Sequence, residues 1–111
     1  MPPADQRARA GARMLDAVET AAARLDSVPG PLFAEERTAL AAYEWVAGHC
    51  SHSPITGVAA LARPDDILIR AEERAARTMA IHEKRHGGVR RFATGGAHAL
   101  AWVLGESDDQ P

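Results

Sequence analysis

The sequence predicts an all-α fold, a small four-helix bundle that runs up and down, with helices two and four most buried. Three observations carry that expectation. Apolar residues recur at intervals of three and four in four separate stretches. Proline and glycine stand between those stretches, where they stop a helix. No stretch of useful length alternates with period two, so no sheet is expected.

The first helix is expected over about 4–27, with Met14, Val18, Ala22 and Leu25 on one stripe. Val28-Pro29-Gly30-Pro31 ends it, since proline has no donor and clashes with the preceding turn. The second is expected over 33–47, opened by the acids Glu35 and Glu36 and closed before Gly48. A longer connection follows over 49–63, with turns at Ser53-Pro54 and Thr56-Gly57 and room for a short helical piece at 58–62. Pro64-Asp65-Asp66 opens a third helix, expected over 64–86 and ended by Gly87-Gly88. The fourth is expected over 89–104, with Gly105 just past its end and an acidic tail over 106–111.

Helices two and four share an echo, A-x-x-W-V-x-G, at Ala42–Gly48 and Ala99–Gly105. Each copy puts glycine where a helix closes through a left-handed residue. Both helices are also apolar on two sides. In helix two, Leu40, Tyr43, Val46 and Ala47 form one stripe and Trp45 lies off it. In helix four, Phe92, Gly96, Leu100 and Val103 form one face, with Trp102 opposite beside Arg91, Gly95 and His98. Helices covered twice look like this, and Gly95-Gly96 permits a neighbouring helix to come close. The same tryptophans also fit a partner-facing patch of Trp45, Trp102 and His98.

Composition bounds what such a bundle does. The chain of 111 residues is read as a single domain with one modest core. About a fifth of it is alanine and only 5% is aromatic, so Trp45, Trp102, Phe33, Phe92, Tyr43 and the leucines must carry that core. This Ala/Arg-heavy usage is that of a G+C-rich bacterial or phage genome. A net charge of -2 gives no global pull toward nucleic acid or membrane. No run approaches the roughly 20 apolar residues of a membrane span. The single Cys50 excludes an intramolecular disulfide, and the expected location is cytoplasmic.

One stretch carries the letters of a catalytic site. His82-Glu83-Lys84-Arg85-His86 has the spacing by which zinc peptidases hold a metal with two imidazoles one turn apart and use the glutamate on a bound water. On the third helix these histidines extend a stripe of Leu68, Ala71, Ala75 and Met79. Against that chemistry, the intervening Lys84 and Arg85 are both charged. Val89 and Phe92 stand where an extended motif needs glycine and histidine. A downstream Glu106 ligand would be carried about 24 Å away by a tight hairpin. The same letters otherwise describe a helix end, with His, Lys and Arg complementing the negative end of the dipole. A wider set joining His49, Cys50 and His52 to His82 and His86 needs helices two and three to run parallel.

The third helix also carries Arg70, Arg74, Arg77, Lys84 and Arg85, part of a segment, 70–91, that holds seven Lys/Arg against three Glu. Such a row could meet phosphates, although no aromatics are interleaved to stack bases. The function expected from the residues is therefore a non-enzymatic interaction or regulatory module without a cofactor, self-associating or bound to a protein partner. Its two alternatives are a zinc-dependent hydrolase, with Glu83 as the catalytic base and His82 and His86 on zinc, and a nucleic-acid module working through the arginine row.

Overall fold

Local hydrogen-bonding needs set where each helix begins and ends. The computed structural model describes residues 15–59, 63–82 and 87–106. They form α1 (Leu15–Asp26), α2 (Ala34–Ala47), α3 (Asp66–His82) and α4 (Gly87–Val103). At the start of α2 the Phe33 amide donates to Glu36 Oε1 at 3.0 Å, and at the start of α3 the Leu68 amide donates to Asp65 Oδ1 at 2.9 Å. The repeated A-x-x-W-V-x-G motif builds the same stop twice. Gly48 and Gly105 take φ of 88° and 77°. The amides of Gly48 and His49 donate to Trp45 and Glu44, and those of Gly105 and Glu106 to Trp102 and Ala101.

Two boundaries differ from expectation. Gly87 and Gly88 are the first residues of α4 and do not cap α3, and neither takes a positive φ. The 58–62 piece is not helical where it is described: Ala59 forms an isolated antiparallel bridge with His52. Residues 1–14, 60–62, 83–86 and 107–111 lie outside the described residues.

The helices stack in the order α1–α2–α4–α3, so α2 and α4 form the central pair. Gly95 of α4 faces Glu35 of α2, and Tyr43 meets Trp102 edge-on at 5.7 Å, so these two helices run parallel. An ion pair between Arg70 and Glu106 ties the start of α3 to the end of α4, which makes that pair an antiparallel hairpin. The connection after α2 turns back along the bundle. Ile55 reaches Gly96 beside Thr38, and the Ile55 and Thr56 amides are held by Glu72 of α3. A stretch read as a passive linker is thus part of the packing.

The core is carried by Trp45, Tyr43, Leu100, Val18 and Val103. Phe33, expected among them, is 79% exposed at the start of α2, and Phe92 is half-buried. Trp45, only 1% exposed, and Trp102, 7% exposed, lie inside. They therefore offer no patch to a partner, because each is spent on the two-sided burial of α2 and α4. His98, grouped with them, is exposed.

Tyr43 is the chain's one tyrosine, and its hydroxyl is buried without a hydrogen-bond partner among the described residues. Burial pushes that hydroxyl well above the usual tyrosine range near 10. A raised folded-state value means this contribution to stability is complete below about pH 10 and is lost as pH rises beyond it. Phenolate absorbance should therefore appear together with alkaline unfolding and not before it. Tyr43→Phe should melt later at high pH and gain about 1 kcal/mol near neutrality by removing an unsatisfied group. A smooth titration near pH 10 in the folded protein would contradict this.

Candidate functional site

The inward face of α3 decides what lies at the surface around it. Its buried residues are Ile69, Glu72, Glu73 and Ala76, one residue off the apolar stripe of Leu68, Ala71, Ala75, Met79 and His82. Both buried glutamates, each 3% exposed, are satisfied. Glu72 accepts from the Ile55 amide at 2.6 Å, the Thr56 amide at 3.1 Å and Thr56 Oγ1 at 2.6 Å. Glu73 Oε1 accepts from Arg77 Nη2 at 2.6 Å, one turn along the helix. With this rotation Ala71 and His82 are exposed.

His82 therefore stands on the surface at the end of α3 and does not extend a core stripe. Glu83, Lys84, Arg85 and His86, the rest of the peptidase-like letters, lie outside the described residues. The proposed third ligand, Glu106, pairs with Arg70 at the far end of α3, twelve residues and about 18 Å of helix from His82. Nor does the wider set come together: His49 faces Glu19 at 3.7 Å, His52 Nδ1 lies against Ser51 Oγ, and Cys50 Sγ donates to the His52 carbonyl. Among the described residues no three His, Cys, Asp or Glu side chains converge as metal ligands would.

The arginine row is similarly changed by its neighbours. Arg70 holds Glu106 and Arg77 holds Glu73, which leaves Arg74 as the described member without a carboxylate. A cation already paired within the chain releases little on meeting a phosphate.

What the hairpin does build is a groove. One side of α3, at Glu73, Arg77, Ala80 and Ile81, faces one side of α4, at Arg90, Thr94, Ala97, His98 and Ala101. On each helix the positions advance by three or four residues, with adjacent pairs at Ala80-Ile81 and Ala97-His98, so each set keeps to one side of its helix. Where the rows meet, Ala80, Ala97 and Ala101 have only methyl groups to fill the space. A cleft of about 710 Å³ remains, with Glu106 also in its lining. From Arg90 to Ala101 it follows about 16 Å of helix. Ile81, 60% exposed, adds a large apolar side chain to its wall. Thr94 Oγ1 donates to the Arg90 carbonyl at 2.7 Å, so its oxygen can still accept.

Of this lining, only Arg77, as part of the arginine row, and Glu106, as a distant metal ligand, were weighed in the sequence for their chemistry, and His98 entered only beside a tryptophan now found inside. The small residues at 80, 97 and 101 are the signal that was available. Comparison with known proteins finds no match among family models, curated proteins or solved structures. Among the described residues no helix is long and apolar enough to cross a membrane.

Proposed function

We propose that the protein is a small non-enzymatic binding and regulatory module, and that the cleft between α3 and α4 is its ligand site. The observation that supports this is the cleft itself: its size falls in the range of about 300–1,000 Å³ typical of organic-ligand sites. Ala80, Ile81, Ala97 and Ala101 give it apolar surface, and six polar or charged side chains around them could fix orientation. Trp45 and Trp102 are buried within the chain, which favours the cleft over them as the point of contact. A second copy or partner protein now has the α3–α4 side as its point of contact. Among the described residues the hydrolase and nucleic-acid alternatives gain no comparable feature, and Glu83, Lys84, Arg85 and His86 lie outside those residues.

The test is occupancy. An uncharged apolar fluorophore, phenylnaphthylamine, should brighten with a saturable, stoichiometric titration. Ala101→Leu, which grows a side chain into the cleft, should weaken it at least tenfold with the melting temperature nearly unchanged. Equal binding by the two proteins would place the dye elsewhere and remove this function.

A further inference from the structure

We infer that the α3–α4 cleft is selective for organic anions with an apolar body, such as ring- or chain-bearing carboxylates and sulfonates, whose charged end is held at Arg90; the inference rests on the ligand-site function proposed above.

The charges along the cleft are unequal in what they have left to give. Two acids line it, Glu73 and Glu106, and both are engaged: Arg77 holds the first and Arg70, from outside the lining, holds the second. A cationic ligand therefore meets carboxylates whose charge an arginine already balances. The cations stand differently. Arg90 lines the cleft and has no carboxylate partner among the described residues. Arg77 gives Nη2 to Glu73 and keeps other guanidinium N–H donors, of which there are five in all. Thr94, one turn from Arg90, adds a hydroxyl, and the exposed His98 lies one turn further on the same row.

The apolar part of the lining sets the rest of the ligand. With its head at Arg90, a molecule would lay its body toward Glu106 over Ala80, Ala97 and Ala101, against Ile81. Burial there adds affinity in proportion to apolar area, while the arginine selects the sign of the head. A purely ionic ligand would leave the alanine surface uncovered, and a neutral one would leave Arg90 unused.

Two dyes that differ by one sulfonate separate these contributions. Anilinonaphthalene sulfonate and its uncharged parent, phenylnaphthylamine, are titrated into the wild-type protein and into Arg90→Ala, Arg91→Ala and Ala101→Leu. Near-ultraviolet circular dichroism confirms that each protein is folded. Arg91 is exposed and outside the lining, so it controls for charge alone. The expected result is that Arg90→Ala weakens the sulfonate about fivefold, the size of one exposed ion pair. The parent dye should be unaffected by that change, Arg91→Ala should alter neither dye, and Ala101→Leu should weaken both.

If Arg90→Ala leaves the sulfonate unchanged, or lowers both dyes alike, the anion selectivity is wrong and the cleft stands as an apolar site. If neither dye binds the wild-type protein, the ligand site fails and this inference with it. If binding of both dyes falls as protein concentration rises, a second copy fills the cleft and a small anion is not its ligand. Should Ala101→Leu fail to fold, Ala80→Leu fills the same space from the facing helix.

Discussion

Gly95→Val is expected to cost about 3 kcal/mol or more. A Cβ at Gly95 would lie 2.6 Å from Glu35 Cα and 2.7 Å from its carbonyl carbon, with the Glu35 oxygen in the way as well. These are backbone atoms, so no side chain can swing aside and α2 itself must move. That movement would open the central helix pair, where Tyr43 packs on Trp102. Alanine meets the same backbone but gains about 1 kcal/mol of helix propensity, so Gly95→Ala should lose a smaller net amount, about 1–2 kcal/mol. In the same helix, Gly88 has nothing within 4 Å of its missing Cβ, and Gly88→Ala should be neutral or stabilising by up to about 1 kcal/mol. Urea titration of the three variants reads both signs, and the slope shows whether the unfolding unit is unchanged. Equal stability of Gly95→Ala and wild type would contradict the close approach of α2 and α4.

Glu72→Ala is expected to cost about 3 kcal/mol through the connection it holds rather than through the helix it sits on. The carboxylate takes two amides and a hydroxyl from Ile55 and Thr56. Removing it strands those donors next to Gly96 and Thr38, where Ile55 is wedged. The turn has its own bonds, Ser53 N–H to the Val58 carbonyl at 3.0 Å and Val58 N–H to Ser53 Oγ at 3.0 Å, so it should loosen as a unit. Hydrogen exchange at Ile55, Thr56 and Val58 should accelerate together, with α1 amides little changed. Glu72→Gln should lose less, since one acceptor remains while its amide N–H groups face other donors. A chain of this length has roughly 6–16 kcal/mol to lose, so either defect removes a large share. Unchanged exchange at Ile55 and Thr56 in Glu72→Ala would show that the contact contributes nothing.

These two residues also mark how far the sequence could be read. Gly95 was legible: two glycines inside an otherwise good helix make sense only if another helix comes close, and α2 does. The central position of α2 and α4 was legible too, because both are apolar on two sides, and Gly48 and Gly105 followed from their shared motif. Glu72 was not. Apolar periodicity cannot register a buried carboxylate whose donors lie 16 and 17 residues away in a connection with no periodicity of its own. A stripe drawn from apolar residues alone leaves out Glu72 and Glu73, and that turned the inward face of α3 by one residue and carried His82 with it. Phe33 failed differently. Its type belongs in cores, yet the start of α2 needs a residue there in extended geometry, and the bundle does not cover it.

The cleft was the least legible feature, because it belongs to no element alone. Ala80, Ala97 and Ala101 look like three of many alanines until the antiparallel register of α3 and α4, pinned by Arg70 and Glu106, sets them face to face. Alanine there has a different consequence from alanine in the core. At Ala39, Ala42 and Ala99 small size brings helices together; along the cleft it leaves space.

Whether that space binds anything is read most directly by amide NMR of the labelled protein during titration with anilinonaphthalene sulfonate. The expected perturbations run along two rows, through Arg77, Ala80 and Ile81 on α3 and through Arg90, Thr94, Ala97 and Ala101 on α4. Val18, Leu25 and the other α1 residues should stay still. Perturbations centred on α1 or on the 49–59 connection, or none at saturating dye, would contradict a ligand site between α3 and α4.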